Sequence, residues 1–242
     1  MPETKKAPSN HIESRKLSEI FNGVKVIIFD FDGTIAHSLE LTVKFFNQVA
    51  EEFNLPKITD SLLKELRTLS AREIFKRSEL SLWQLGKLVR IIQKDLKDNI
   101  TSIKVVDGIP EVIARLKKMG FQVGVLTSNT SENVQLFLDH HQIGQIDFIY
   151  TGKSIFGKHK TLRKILARNE LNANEVLYIG DEVRDIEAAK KVGTRSVAVT
   201  WGLNSTEKLE TAEPSGLVNK VEELKSALVE SNKTEVVDAV DI

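Results

Sequence analysis

Val24-Lys25-Val26-Ile27-Ile28-Phe29-Asp30 is a short apolar, β-branched run bounded by Gly23 on one side and Asp30-Phe31-Asp32-Gly33-Thr34 on the other. A strand apolar at successive positions is buried on both faces, and strands buried on both faces belong to parallel sheets. Similar runs recur at Val123–Leu126, Ile146–Tyr150, Val176–Ile179 and Ser196–Val199. Helical patterns separate the later ones: Pro110–Met119, with proline in its first turn and Gly120 just past its end, then Glu132–His140, Thr161–Asn169 and Asp185–Val192. Strands alternating with helices predict an α/β fold with a doubly wound parallel sheet.

One connection breaks the rhythm. Ser38–Phe53 is amphipathic, with Leu41, Phe45, Val49 and Phe53 on one face. Leu62, Leu63, Leu66 and Leu69 make a second stripe, and Leu85, Leu88, Val89, Ile92 and Leu96 a third. The stretch is too long for a loop and too regular for disorder, so it reads as a small inserted helical domain over residues 38–103. The sheet domain is then expected over 24–37 and 104–230. Residues 1–23 are expected to be a flexible N-terminal arm and 231–242 a loosely ordered C-terminal tail.

Composition sets wide bounds. The chain has 242 residues, 41% hydrophobic and 28% charged, and its 34 Lys and Arg balance its 34 Asp and Glu. No global field favours nucleic acid or a membrane surface. Without cysteine there are no disulfides, thiolate metal sites or thiol nucleophile. No apolar run reaches the roughly 20 residues that cross a bilayer, and the polar first residues lack a secretory core. The expected location is cytoplasmic, and the composition leaves monomer and homodimer open.

The polar residues cluster at strand ends. Strand one ends in Asp30-Phe31-Asp32-Gly33-Thr34, the second in Thr127-Ser128-Asn129, and the fourth in Gly180-Asp181-Glu182 with Asp185 a helical turn later. Ligands of open α/β sheets bind at the carboxyl ends of the strands, near the switch in strand order, so three distant clusters would meet in one crevice. Taken singly, Thr127-Ser128-Asn129 reads as an N-cap and Asp181 as a partner of a helix dipole. Asp-x-Asp-Gly-Thr at the end of a buried strand already favours chemistry. Several carboxylates in one cleft cannot all stay ionised without raised pKa values or a cation. All the available ligands are hard oxygens, which suits Mg²⁺.

At these residues the sequence resembles the haloacid-dehalogenase-type phosphatases. Asp30-Phe31-Asp32-Gly33-Thr34 is similar to their first motif, Val125-Leu126-Thr127-Ser128-Asn129 to the second, Lys158 to the third, and Gly180-Asp181-Glu182-Val183-Arg184-Asp185 to the fourth. The resemblance runs from about Val24 to Leu228, and Val199–Ser205 resembles the same segment of phosphoglycolate phosphatases. The helical insert sits where the family carries its cap. The resemblance implies Asp30 as nucleophile and Asp32 as acid and base, with Asp30, Asp181 and the backbone carbonyl of Asp32 on Mg²⁺. Thr127, Ser128 and Lys158 would hold the phosphoryl group, and Gly33, Thr34, Asn129, Glu182 and Asp185 would support the loops. The implied substrate is a small phosphomonoester such as phosphoglycolate, with no nucleic-acid or membrane partner.

The chain departs from the pattern twice. His37 precedes Ser38 where the family has an aspartate, and both Lys158 and Lys160 precede the helix, with Lys158 preferred because it follows Gly157. Four rivals compete, of which a dehalogenase would not need Asp32 or the metal carboxylates. Gly152-Lys153-Ser154-Ile155-Phe156-Gly157-Lys158-His159 nearly fits a phosphate loop, but His159 stands where a serine or threonine must reach the metal, and Asp30 and Asp32 go unexplained. A phosphomutase would share the nucleophile and metal, yet mutases of the superfamily carry glutamate where Gly180 stands. A non-catalytic phosphate-binding module would not need every acidic residue kept. His11, His140, His141 and Trp201 read as surface, helix-end or packing residues.

Overall fold

The computed structural model describes residues 17–152 and 156–238. Its centre is a six-stranded sheet built from β1 (Val26–Phe29), β2 (Gln122–Thr127), β3 (Phe148–Thr151), β4 (Val176–Gly180), β5 (Arg195–Val199) and β6 (Gly216–Val218). All neighbours pair in parallel, in the order β3-β2-β1-β4-β5-β6. The doubly wound expectation holds, and the order reverses between β1 and β4, where a crevice opens at the carboxyl ends.

The apolar reading of β1 explains its place. Ile27 and Phe29 face one side and Val26 and Ile28 the other, and all four are buried. On the first side they meet α5 (Ile109–Lys118), α6 (Ser131–His140) and α10 (Val221–Asp238), through Ile113, Phe137 and Leu224 among others. On the second they meet α7 (Lys158–Arg168) and α8 (Val183–Lys190), through Leu162, Ile165 and Ala189. A further helix, α9 (Thr206–Thr211), packs Leu209 against Ile186 and Ala198. Burying each such side chain contributes roughly 1.5–3 kcal/mol before entropy is charged against it.

Between β1 and α5 the chain forms α1 (Leu39–Val49), α2 (Asp60–Leu66), α3 (Ala71–Ser78) and α4 (Leu82–Asp98). Ser70–Glu73 and Ser81–Gln84 capping boxes start α3 and α4. Phe53, Leu80 and Leu88 centre a separate apolar cluster here. The entering and leaving strands of chain run side by side, with His37 N–H donating to Lys104 O at 2.9 Å and Ala36 bridged to Val105.

Three differences from the sequence reading stand out. Leu17, Ile20 and Phe21 are buried on the main core rather than part of a loose arm, because their spacing gives one apolar face. Residues 1–16 lie outside the described residues. β6 is a sixth strand, too short to show a pattern of its own. The final helix runs on to Asp238, past the expected start of the tail, whose last residues also lie outside the described ones. No helix among the described residues is long and apolar enough to cross a membrane.

Candidate active site

β1 delivers Asp30, which is buried, to the carboxyl edge of the sheet. Its Oδ1 accepts from the Phe31 N–H at 2.8 Å, and its Oδ2 lies 2.7 Å from Lys158 Nζ. Lys158 opens α7 and is itself buried, while Lys160 points to solvent. The same ammonium reaches Asp185 Oδ1 at 2.6 Å. Asp185 is held in turn by the Glu182 N–H at 3.1 Å and the Tyr178 hydroxyl at 3.3 Å.

Asp181 completes the acidic group. One oxygen from each of Asp30, Asp181 and Asp185 lies within 4.8 Å of the other two, and all three residues are buried. Thr34 Oγ1 donates to Asp181 Oδ1 at 2.8 Å, and the Leu203 N–H donates to Asp181 Oδ2 at 2.7 Å. Close backbone approach makes this possible. A Cβ on Gly33, whose φ is +80°, would stand 2.3 Å from Asp181 Oδ2, and one on Gly202 would stand 2.2 Å from it.

The electrostatics follow from burial. Burial opposes the charge on Lys158, but Asp185 and Asp30 together hold its pKa above the ordinary value. Burial also raises the Asp30 carboxyl to about 7, with Lys158 pulling down and Asp185 pushing up. Asp181 is raised well above its usual value by burial, then by Glu182 and Asp30. One lysine cannot neutralise three carboxylates. The remaining negative charge is met by protons or by a cation, and an all-oxygen carboxylate set fits Mg²⁺.

Asp32 stands apart from that trio. It is half-buried and lines a cavity, and Asn129 Nδ2 donates to its Oδ2 at 3.2 Å. Burial raises its pKa, opposed by hydrogen bonds from Ser38 and Asn129. A carboxyl at the cavity wall whose hold on its proton is strengthened by burial suits a proton donor. Asn129 is fixed in turn: its Oδ1 accepts from the Thr130 N–H at 2.8 Å and from Asn133 Nδ2 at 2.9 Å, which turns its amide nitrogen to Asp32.

Of the other expected residues, Ser128 lines the cavity and its carbonyl accepts from Gln93 Nε2 at 2.7 Å. Thr127 is buried, with its hydroxyl accepting from the Asn129 N–H at 2.9 Å. Glu182 is buried and pairs with Arg184, and both line the cavity. Trp201 packs on the core and donates to Thr34 O at 3.2 Å, as a packing residue would. Of the phosphate-loop look-alike, residues 153–155 lie outside the described residues. Sequence reasoning missed Gln93, Asn133, Tyr178 and Asn204. Asn204 ties α8 to the insert, accepting from the Val183 N–H at 2.9 Å and donating to Leu69 O at 2.8 Å. Asn133, one helical turn after Asn129, and Asn204, within the 199–205 segment, lie near residues the sequence singled out, whereas Gln93 and Tyr178 carry no such signal.

Comparison with known proteins points the same way. The family model of haloacid dehalogenase-like hydrolases matches residues 27–199. A phosphoglycolate phosphatase of Synechococcus elongatus is 34% identical over 208 residues, covering 86% of this chain and 98% of the relative. Pyrophosphatase PpaX of Bacillus anthracis is 26% identical over 227 residues, covering 87% and 99%. Among solved structures, a predicted phosphatase from Clostridium acetobutylicum superposes with a TM-score of 0.73 at 24% identity, covering 86% of this chain and 99% of that one. By its matched residues and its relatives, the chain belongs to the haloacid dehalogenase-like hydrolases and is a phosphoric monoester hydrolase.

Proposed function

We propose that the chain is a Mg²⁺-dependent phosphatase that hydrolyses a small phosphomonoester through an aspartyl-phosphate on Asp30. The observation that carries this is the placing of Asp30 against Lys158 Nζ at 2.7 Å and beside Asp181 and Asp185, with Asp32 facing the cavity. A carboxylate in that position is a nucleophile whose charge is balanced, and a second carboxyl nearby is free to move a proton.

Asp30 attacks phosphorus while the bond from phosphorus to the alcohol oxygen breaks, and Asp32 protonates that oxygen. Asp32, now ionised, takes a proton from the water that attacks the acyl-phosphate. The bond from phosphorus to Asp30 then breaks and inorganic phosphate leaves. Lys158 holds the charge of the phosphoryl oxygens, and Asp185 and Tyr178 hold Lys158. Mg²⁺, carried by Asp30, Asp181 and the Asp32 carbonyl with Asp185 beside them, would supply the positive charge that the transferring phosphoryl group needs. Phosphomonoester hydrolysis demands that on the order of 20 kcal/mol be removed from the barrier, and an acid–base group alone supplies about 10²–10⁴-fold. Nucleophile, cation and lysine have to share the rest.

Balanced charge across the chain supports a small molecule over nucleic acid. The activity in the name of the Synechococcus relative makes phosphoglycolate the first substrate to try. The test is phosphate release from phosphoglycolate, pyrophosphate and p-nitrophenyl phosphate. Activity should vanish on chelation and return with Mg²⁺, but return poorly with Ca²⁺, whose larger and looser shell misplaces nucleophile and phosphate. Undiminished turnover by thoroughly chelated protein would sink the metal assignment.

A further inference from the structure

The cavity over Asp32 is far larger than a phosphoryl group and a two-carbon acid require. Its volume is about 480 Å³, and it runs from Asp32, Ser128 and Arg184 upward between the helices of the insert. That is the size of a site for a substantial organic ligand, on the order of 300–1,000 Å³. Protein interiors are packed to crystal density, so a space of this size is not ordinary packing slack.

Its chemistry is one-sided. Phe46, Leu62, Leu66, Ile74, Leu85 and Val89 face it from α1, α2, α3 and α4, and all six are only half-buried. Among the described residues, its cationic lining is Arg77 and Arg184, which pair with Glu65 and Glu182 respectively. The acids Asp32, Asp181 and Glu182 line the floor. A carboxylate-bearing alcohol would lose its water beside these acids and find, besides neutral hydroxyls and amides such as Ser38, Thr42 and Gln93, no cation but arginines already engaged. Water fits the upper walls poorly as well, because each buried water needs two to four polar partners. An apolar group gains from the same surface.

We infer that the alcohol released here is apolar and larger than a two-carbon acid: the substrate is the small-molecule monophosphate of an aliphatic or aryl alcohol, with its phosphoryl group at Asp30 and its body among the insert helices. This rests on the phosphatase reading above and deepens it to a substrate class. The bonds are those already described. The phosphorus–alkoxy bond breaks, water supplies the new phosphate oxygen, and the alcohol leaves with the proton from Asp32.

The test is kcat/KM of the full chain with Mg²⁺ on ethyl, butyl and hexyl phosphate, beside phosphoglycolate and p-nitrophenyl phosphate. Each methylene taken out of water is worth about fourfold. The four between ethyl and hexyl phosphate should therefore raise kcat/KM by roughly 250-fold at full burial, and by at least about tenfold at partial burial. Hexyl phosphate should also outrun phosphoglycolate. A smaller rise, or phosphoglycolate ahead of hexyl phosphate, with the esters still turned over, overturns the inference and leaves the phosphatase reading standing. No Mg²⁺-dependent release from any ester overturns both. Ile74→Gln should shrink the hexyl-over-ethyl ratio several-fold, and an unchanged ratio in folded protein counts against this cavity. Should that variant not fold, Val89→Thr, nearly isosteric, gives the same reading, and the wild-type series decides without either.

Discussion

Lys158 Nζ stands 2.7 Å from Asp30 Oδ2, and both side chains are almost wholly buried. A buried pair of this kind is costly to form and costlier to break, because removing one partner strands the other's charge. Asp185, 2.6 Å from the same ammonium, makes the pair a triad with a surplus carboxylate. The site is therefore built around one cation too few, which is the condition under which a metal ion binds.

Lys158→Met should lower the stability of metal-free protein by roughly 3–5 kcal/mol, as measured by urea unfolding. Added Mg²⁺ should recover more stability in the variant than in the parent, since the ion then answers charge that lysine no longer does. A variant as stable as the parent without metal would show that the triad does not hold its charge in the way drawn here.

The raised carboxyl of Asp30 gives a pH dependence with a definite sign. Its pKa moves from 3.8 unfolded to about 7 folded, through burial first, with Lys158 opposing and Asp185 adding. The folded state thus binds the extra proton between those values. Its contribution to stability is fully present below about pH 4 and is lost as pH rises through 7, by about 4 kcal/mol at most. Asp30→Asn removes this titration, and groups remote from the site titrate alike in both proteins, so metal-free variant should gain on metal-free parent from pH 5 to 8. For the same reason Mg²⁺ binding should release protons near neutral pH, and its affinity should fall as pH drops through 7. Calorimetry in two buffers of different ionisation enthalpy measures that release, and a buffer-independent heat would contradict it.

The sheet and the acidic motifs were legible in sequence because each is local. Ile27, Ile28 and Phe29 announce a doubly buried strand, and Asp30, Asp181 and Asp185 each follow such a strand. What joins them is not local. Asn133 lies 40 residues from Gln93, whose carbonyl it meets at 3.1 Å, and nothing in the spacing of either predicts it. β6 was illegible for a different reason: Gly216-Leu217-Val218 is too short for a period, and pairing with β5 decides its form. Leu17, Ile20 and Phe21 were hidden by the polar run before them, which made a helical spacing look like the edge of an arm.

Asn133 carries a prediction of its own. It holds the Asn129 oxygen at 2.9 Å, which leaves the Asn129 amide nitrogen for Asp32. Asn133→Leu keeps the volume but removes one of the two donors to the Asn129 oxygen, leaving only the Thr130 N–H, so Asp32 should lose orientation as a proton donor. Turnover of an alkyl phosphate should fall about tenfold, the worth of one good hydrogen bond. On p-nitrophenyl phosphate, whose leaving group needs little protonation, the loss should be much smaller. Equal losses on both substrates would mark Asn133 as merely structural.

The two aspartates separate by what they leave behind. Asp30→Asn offers a neutral amide in place of the nucleophile, so neither turnover nor a phosphorylated enzyme should appear. Asp32→Asn removes only the proton donor and the base that follows. With p-nitrophenyl phosphate the first step should survive in part, because nitrophenolate leaves without much help. The second step needs a base to draw the proton from water, and it should slow by about 10²–10⁴-fold. Phosphate should then accumulate on the enzyme. Mass spectrometry of quenched Asp32→Asn protein should find one added phosphoryl group, and on the peptide that contains Asp30. A label on serine, threonine or histidine would move the nucleophile elsewhere, and turnover by Asp30→Asn would remove the covalent step altogether.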